Sequence, residues 1–559
     1  MLWLLILLPV LTALLIALAP GAMSRSLATL GSLVTLGATV VAMATFDWAS
    51  PAAFQLGTAA GDNGVPLLPA FGVYLTTGVD SVALWLIALA ALLQPLMVFG
   101  SYTAIKQHHK TYYGWLTLLQ AAMIGVFAAR DLLFFYFCFE LTLVPMFVLI
   151  SMFGSSNRKK ASIKFFLYTF TGSIVALASF VYIALQAAEA NGGTMSFSID
   201  VLQATAASLP ASTQAVLLLA MFLGFGVKVP VFPLHTWLPL AHTEAPTAGS
   251  VILAGVLLKL GTYAFYRFTL PFLPDAVLAY APLIAVLAIV GIVYAGLICW
   301  VQRDVKKLIA YSSVSHLGFC ILGLFALNMA GLQGSVLYMI NHGLSTGALF
   351  FCIGFMYERY HTRSMNELGG LAKKMPVWAF FLGFFTMASV GLPGLNGFVS
   401  EFLCLIGTFQ SGALELGLPA GTTGPLGPWF AVVAGFGMIV AAMYLLYMVG
   451  KVLFGPEKEP AGHEHHGPLP VDLSLREIGV LTPLAVGCVV LGVYPKVVME
   501  SLEEPLQQTI DVYESRTVTP MRPPLSGVGR DETVATHAGV ALSLTENAAA
   551  AAMREGVER

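Results

Sequence analysis

Four ionisable residues occur where the surrounding sequence offers no water: Glu140 in FFYFCFELTLVPMF, Lys228 in GFGVKVPVFPLHTWLPLAHTEAPT, Lys259 in VILAGVLLKLGTYAFYR and Glu401 in SVGLPGLNGFVSEFL. Carboxylates and amines in such places can take up and release protons. Burial and a nearby opposite charge act on an ammonium in opposite senses, so its proton can become exchangeable near working pH. At an effective dielectric of 20 and ~6 Å separation, a carboxylate and an ammonium attract by about 3 kcal/mol. Moving Glu140 relative to Lys228 would therefore load or unload the lysine. Four histidines extend the set: His235 and His242 shortly after Lys228, His316 in SSVSHLG and His342 in NHGLSTGALFF. Imidazole changes charge near physiological pH, which suits a proton relay. The plainer readings are a snorkelling lysine, a structural carboxyl and core histidines. Against them stands a cost of about 2.5–3.5 kcal/mol for each charge at mid-bilayer depth.

Those depths follow from the apolar runs that must carry the residues. Of 559 residues, 58% are hydrophobic and only 10% are Asp, Glu, Lys or Arg, with a mean hydropathy of +0.83. Polar surface is too scarce for a water-soluble globule. Runs long enough to span a bilayer fall near 2–20, 27–45, 80–103, 112–128, 131–153, 163–186, 213–242, 247–269, 277–300, 307–327, 333–357, 377–410, 428–453 and 477–495. The expectation is an all-α integral membrane protein with about fourteen transmembrane helices. The first run has no basic residue before it, so it reads as a retained span rather than a cleaved signal. The run holding Lys228 is overlong and interrupted by Pro230, Pro233 and Pro239; the run before Glu401 carries Gly391, Pro393, Gly394 and Gly397. Broken helices persist in membranes where they line cavities, and two of them, each with its own ionisable residue, suggest an internally duplicated transporter. Beside Glu140, Pro145 cannot donate to the carbonyl of Leu141, which opens the helix locally.

Basic residues collect in alternate loops: Arg25; Lys106 and Lys110; Arg158 to Lys160; Arg303, Lys306 and Lys307; Arg359, Arg363, Lys373 and Lys374; then Lys458 and Arg476. The opposite loops hold only Arg130 and Arg267. The first set is expected to be cytoplasmic, placing both termini outside. Residues 498–559 read as a polar extracytoplasmic tail, mostly disordered or holding a short helix, after a membrane domain over 1–497. His463, Glu464, His465 and His466 could bind a metal but read as a solvated loop. The six cysteines sit singly in apolar runs without zinc or cluster spacing, and no GxGxxG follows a strand, so no cofactor is expected in this chain. The balance of 27 basic and 29 acidic residues gives no nucleic-acid signature.

The strings FELTLVPMF, GVKVPVFPLHTWLPLAHTEAPT, LLKLGTYAFYR, YSSVSHLG, NHGLSTGALFF and GLPGLNGFVSEFL, in that order, closely resemble the antiporter-like subunit M family of NADH:quinone oxidoreductase, called chain 4 in mitochondrial complex I. The resemblance implies two inverted five-helix repeats, spans 4 to 8 and 9 to 13, with spans 7 and 12 broken. It assigns the family's buried carboxylate to Glu140, its paired lysine to Lys228, its central lysine to Lys259 and its exit-side carboxylate to Glu401, with His316 and His342 on the central polar axis. It implies proton translocation in a bacterial inner membrane, driven by quinone reduction elsewhere. NADH, FMN, iron–sulfur clusters and quinone would then belong to partner subunits, and the neighbours would include the sister subunits L and N besides the lipid bilayer. The tail after Lys496 departs from the family's usual short ending. Two rivals stand: a subunit of a multi-subunit sodium/proton antiporter, where Lys is usual at the place of Glu401, and a passive scaffold of a respiratory or hydrogenase complex.

Overall fold

Proline, glycine and capping side chains divide the apolar runs into elements in the computed structural model, which describes residues 1–59, 64–69, 72–412, 422, 424–460 and 471–517. Helices α1 (Leu2–Leu18) and α2 (Ser24–Thr45) precede a small antiparallel hairpin of β1 (Val65–Leu68) and β2 (Val73–Leu75). Next come α3 (Ser81–Gly100), α4 (His109–Ala128), α5 (Leu132–Leu141), α6 (Leu143–Phe153), α7 (Arg158–Ala190) and α8 (Ile199–Ser208). The Lys228 region forms α9 (Ala211–Lys228) and α10 (Leu238–Glu244). One continuous helix, Thr247–Phe272, follows, in which α11 (Thr247–Ile252), α12 (Leu258–Ala264) and α13 (Leu270–Phe272) are joined by two π-helical segments. The remainder comprises α14 (Pro274–Trp300), α15 (Val305–Phe325), α16 (Met329–Tyr360), α17 (Pro376–Val390), α18 (Asn396–Gln410), α19 (Pro428–Leu453), α20 (Leu475–Val493) and α21 (Lys496–Thr517).

Among the described residues, eleven helices are long and apolar enough to cross a membrane. Two shorter apolar helices are α1 and α17, so a total of fourteen depends on counting these and α4 as spans. The apolar stretches of the Thr247–Phe272 helix and of α16 are enclosed by protein although they carry Lys259 and His342, whereas α2 and α20 turn most of their surface outward. That arrangement suits central helices packed in protein and peripheral ones facing lipid.

Both expected breaks are present. Pro230 and Pro233 lie in the non-helical stretch after α9, and Pro239 is in the first turn of α10. Gly391 ends α17 in the left-handed region at φ 82°, Gly394 follows at φ 93°, and α18 begins at Asn396. A third interruption, at Thr142, separates α5 from α6 three residues before Pro145. Counted from α4 and from α14, the broken α9/α10 and α17/α18 are each fourth in a series of five spans. Five is odd, so a second series of the same build must start from the opposite face, and the two are inverted.

Two details differ from the sequence reading. Several cations assigned to loops lie within helix ends, and Lys306 and Arg359 are buried. Arg359 makes a two-pronged bond to the buried Glu477 of α20, with distances of 3.0 and 2.9 Å. The early tail is ordered: α21 buries Val498, Leu502, Leu506, Ile510 and Tyr513 against the body. Met1–Arg516 form one compact unit, and Thr517–Arg559 a second, of which only Thr517 is described.

Candidate functional site

Lys228 is the last residue of α9, where the unpaired carbonyls of a helix C-terminus favour a cation. Its side chain is buried, and Nζ donates to Thr142 Oγ1 at 3.1 Å while standing 4.5 Å from the Phe139 ring centroid. The Thr142 hydroxyl, between α5 and α6, donates to the carbonyl of Phe139 at 2.7 Å and so presents its lone pairs to the lysine. Glu140, one half-turn earlier, is electrostatically coupled to Lys228. Its two carboxylate oxygens make no hydrogen bond among the described residues, and no ion pair to Lys228 closes within 4.0 Å. The expected pair is therefore coupled through space, with the threonine hydroxyl holding the lysine.

Lys259 lies at the centre of the enclosed helix and is wholly buried. Its Nζ donates to the carbonyl of Ala254, which belongs to the π-helical segment Leu253–Leu257, and lies 2.7 Å from His342 Nδ1 on α16. A π turn displaces carbonyls from their usual partners, and here one of them receives a lysine from five residues on. An ammonium can only donate, so His342 Nδ1 accepts and the ring's own proton resides on Nε2.

The rings of His342 and His316 are 5.9 Å apart between centroids. His316, on α15, places Nδ1 2.6 Å from Tyr338 Oη and 3.2 Å from Glu401 Oε1, and Tyr338 donates its hydroxyl proton to that same carboxylate oxygen. With the tyrosine proton committed, His316 Nδ1 is the donor and Nε2 the acceptor. The Nε2 atoms of His316 and His342 and Oε2 of Glu401 have no hydrogen-bond partner among the described residues. Glu401 Oε2 lies at the second break, where a side chain on Gly391 would come within 2.8 Å of it. Glycine at that position thus serves both the left-handed backbone and the room beside the carboxylate.

The eight residues singled out from sequence consequently separate. Glu140 and Lys228 form one cluster with Thr142; Lys259, His342, His316 and Glu401 form a second with Tyr338. His242 is buried with neither ring nitrogen hydrogen-bonded, stacked on Phe350 at 4.8 Å and within electrostatic reach of Lys306 and Lys259. His235 stands apart in the first break against Phe232 and Tyr294. Sequence reasoning missed Thr142, Tyr338 and Lys306. Thr142 was signalled by its position three residues before Pro145; nothing local distinguishes Tyr338 or the buried Lys306, whose Nζ donates to the carbonyl of Ala245 at 2.5 Å. No group of residues suited to hold a metal occurs among the described residues, and His463, Glu464, His465 and His466 lie outside them.

A family model described as NADH:quinone oxidoreductase/Mrp antiporter, TM matches residues 129–424, which contain every residue of both clusters. The chain is 40% identical to NADH-ubiquinone oxidoreductase chain 4 of Marchantia polymorpha over 436 residues, covering 78% of this chain and 82% of the relative. It is 39% identical to NADH-quinone oxidoreductase subunit M of Rhodobacter capsulatus, over 79% of this chain and 83% of that one. Among solved structures, a chain of respiratory complex I from Thermus thermophilus with bound NADH superimposes with a TM-score of 0.78 at 30% identity, covering 92% of this chain and 100% of that chain.

Proposed function

The chain belongs to the antiporter-like membrane subunit family of NADH:quinone oxidoreductase, subunit M in bacteria and chain 4 in mitochondria, and from that premise we propose that its two buried clusters carry protons across the membrane. It is a multi-pass membrane protein of a respiratory complex. The observation that carries the proton route is the succession of polar side chains from Lys259 and His342 to His316, Tyr338 and Glu401, hydrogen-bonded at both ends, with the two imidazole rings 5.9 Å apart between centroids.

Protons enter from the cytoplasmic side and are held at Lys228, whose affinity for its proton depends on the separation from Glu140. The second cluster passes a proton outward by imidazole exchange. Lys259 releases a proton to His342 Nδ1, and His342 gives up the one on Nε2 toward His316 Nε2. His316 then yields its Nδ1 proton to Glu401, which discharges it beside the Gly391 break. The Nε2 atoms of His342 and His316 have no other hydrogen-bond partner among the described residues, and each histidine takes up one proton as it gives up another, so its charge is unchanged once a proton has passed. His242, within electrostatic reach of Lys306 and Lys259, would relay between them, and His235 would serve the first break. The redox chemistry lies elsewhere: NADH, FMN, iron–sulfur clusters and quinone belong to partner subunits, and the lateral neighbours include the sister subunits L and N. The chain sits in the bacterial inner membrane with both termini outside, the orientation supported by the distribution of basic residues.

The antiporter reading is weaker because the relatives at 39–40% identity are oxidoreductase subunits. A passive scaffold gains nothing from burying two lysines and two carboxylates. The test uses the whole complex reconstituted in vesicles, with internal pH and sodium followed during NADH-driven turnover. Lys259→Met and Glu401→Gln should each reduce proton output by at least roughly tenfold, the scale of one lost charge-assisted step of about 1.4 kcal/mol or more. Full proton output in the assembled Lys259→Met complex would rule the route out, and sodium uptake proportional to turnover would favour the antiporter reading.

A further inference from the structure

We propose that a basic cavity at the junction of α14, α15 and α16 binds the phosphodiester headgroup of an anionic phospholipid. The cavity, of about 340 Å³, is lined by Arg303, Asp304, Tyr357, His361 and Arg363 among others. It lies where α14 and α16 end and α15 begins, hence at the level where spans meet lipid headgroups. Its volume falls at the small end of ligand pockets and suits a headgroup rather than a whole lipid.

Charge identifies the occupant. Arg363 donates to the carbonyl of Thr243 at 2.6 Å, approaches Asp304 at 3.4 Å and lies 5.5 Å from the Tyr357 ring centroid. Asp304 is also engaged in capping α15 through the amides of Lys306 and Lys307. Arg303 is exposed, and its guanidinium has no ion pair or hydrogen bond among the described residues. Two cations, Arg303 and Arg363, line the cavity with the single carboxylate of Asp304; Glu367 accepts from the lining Thr362, and Lys306 lies buried behind with Glu244, so that Arg303 is left without an ion-pair partner among the described residues. A phosphodiester would supply the missing negative charge and accept from a guanidinium.

The adjoining surface suits acyl chains. Leu297 and Trp300, on the last turn of α14, and Val301, just after it, are exposed three and four residues apart on one face, and Trp300 stacks on the half-exposed Tyr447 at 5.6 Å. An indole and a phenol at the edge of an apolar face mark a membrane interface. A headgroup and the start of an acyl chain therefore find adjacent, complementary surfaces.

The experiment employs the intact complex in vesicles containing either a photoreactive phosphatidylglycerol or a photoreactive phosphatidylcholine, with crosslinked peptides mapped by mass spectrometry. Peptides carrying residues 297–303 and 357–364 should label about fivefold more with phosphatidylglycerol, as expected for one cationic contact at a membrane surface. Arg303→Gln should remove that preference and Arg303→Lys retain most of it, with NADH oxidation unchanged in both. Equal labelling by the two lipids, or an unaltered preference in Arg303→Gln, overturns the proposal. Competition by millimolar inorganic phosphate would reveal a soluble-anion site instead, and protection of both peptides from both probes would mean that a neighbouring subunit covers the cavity. Either result also overturns it.

Discussion

A lysine buried at the end of α9 needs something to hold it, and Thr142 is what the structure supplies. The hydroxyl accepts from Lys228 at 3.1 Å, whereas the carboxylate of Glu140 acts only at longer range. A hydrogen bond to a charged group contributes about 1.5–3 kcal/mol, and leaving a buried ammonium without its acceptor costs more. Thr142→Val keeps the shape but removes the acceptor, so proton output per NADH oxidised should fall by roughly tenfold, the low end of that range. Thr142→Ser should restore most of it. Combining Thr142→Val with Glu140→Gln should be less than additive if both act through Lys228. Strict additivity, measured as internal pH change per turnover, would separate the two residues and break the first cluster. Glu140, Lys228, Lys259 and Glu401 were legible from sequence because each is a charge where charge is expensive. Thr142 and Tyr338 are uncharged residues of types common in helices, and only their contacts distinguish them.

At the scale of elements, the first break places Lys228 at a helix end, where backbone groups lie unpaired, and the second brings Glu401, in the second turn of α18, beside Gly391. Gly391 is the residue on which the second break turns. Its φ of 82° is a region that costs an ordinary residue about 1–2 kcal/mol, and an added methyl would meet Glu401 Oε2 at 2.8 Å. Gly391→Ala should therefore displace the carboxylate, slowing proton output more than it lowers the melting temperature of the complex. A neutral effect on both measurements would show that the break tolerates a side chain and that Glu401 is not confined by it. The prolines and glycines announced these breaks in the sequence. The π-helical segments of the enclosed Thr247–Phe272 helix were not announced by any proline or glycine pattern.

Across the whole molecule, α21 ties distant parts of the chain. The carbonyl of Ser501 accepts from Ser81 at 2.6 Å and its hydroxyl from Trp85 at 2.9 Å, while Tyr513 donates to the carbonyl of Leu270 at 2.6 Å. Gln333 reaches the carbonyl of Met499 at 3.3 Å, and Arg516 pairs with Asp275. The helix thus bonds to α3, α13, α14 and α16, touching both five-span series. Ending the chain after Pro495 removes five buried apolar side chains, each contributing about 1.5–3 kcal/mol when fully buried. The shortened protein should lose several degrees of thermal stability and show increased proteolysis near residues 266–275, measured on the assembled complex. Ending it after Thr517 should change neither. If the shorter truncation were as stable as the full chain, α21 would not act as a brace.

The sequence by itself determined the membrane class, the broken elements, the four buried charges and the family, because each depends on composition, spacing or local backbone chemistry. Even the duplication was legible, since two overlong runs repeat the same association of break and ionisable residue. Tertiary structure decided which residues meet. Lys259 and His342 are separated by 83 positions, and His316 and Glu401 by 85, and no local pattern specifies such pairings. It also decided that Lys228 bonds to a threonine, that Lys306 and Arg359 are interior rather than loop cations, and that the tail begins with a docked helix. The physical reason is common to all of these. Hydropathy measures how one segment partitions between water and lipid, whereas a hydrogen bond or a buried ion pair depends on how separate segments pack against one another.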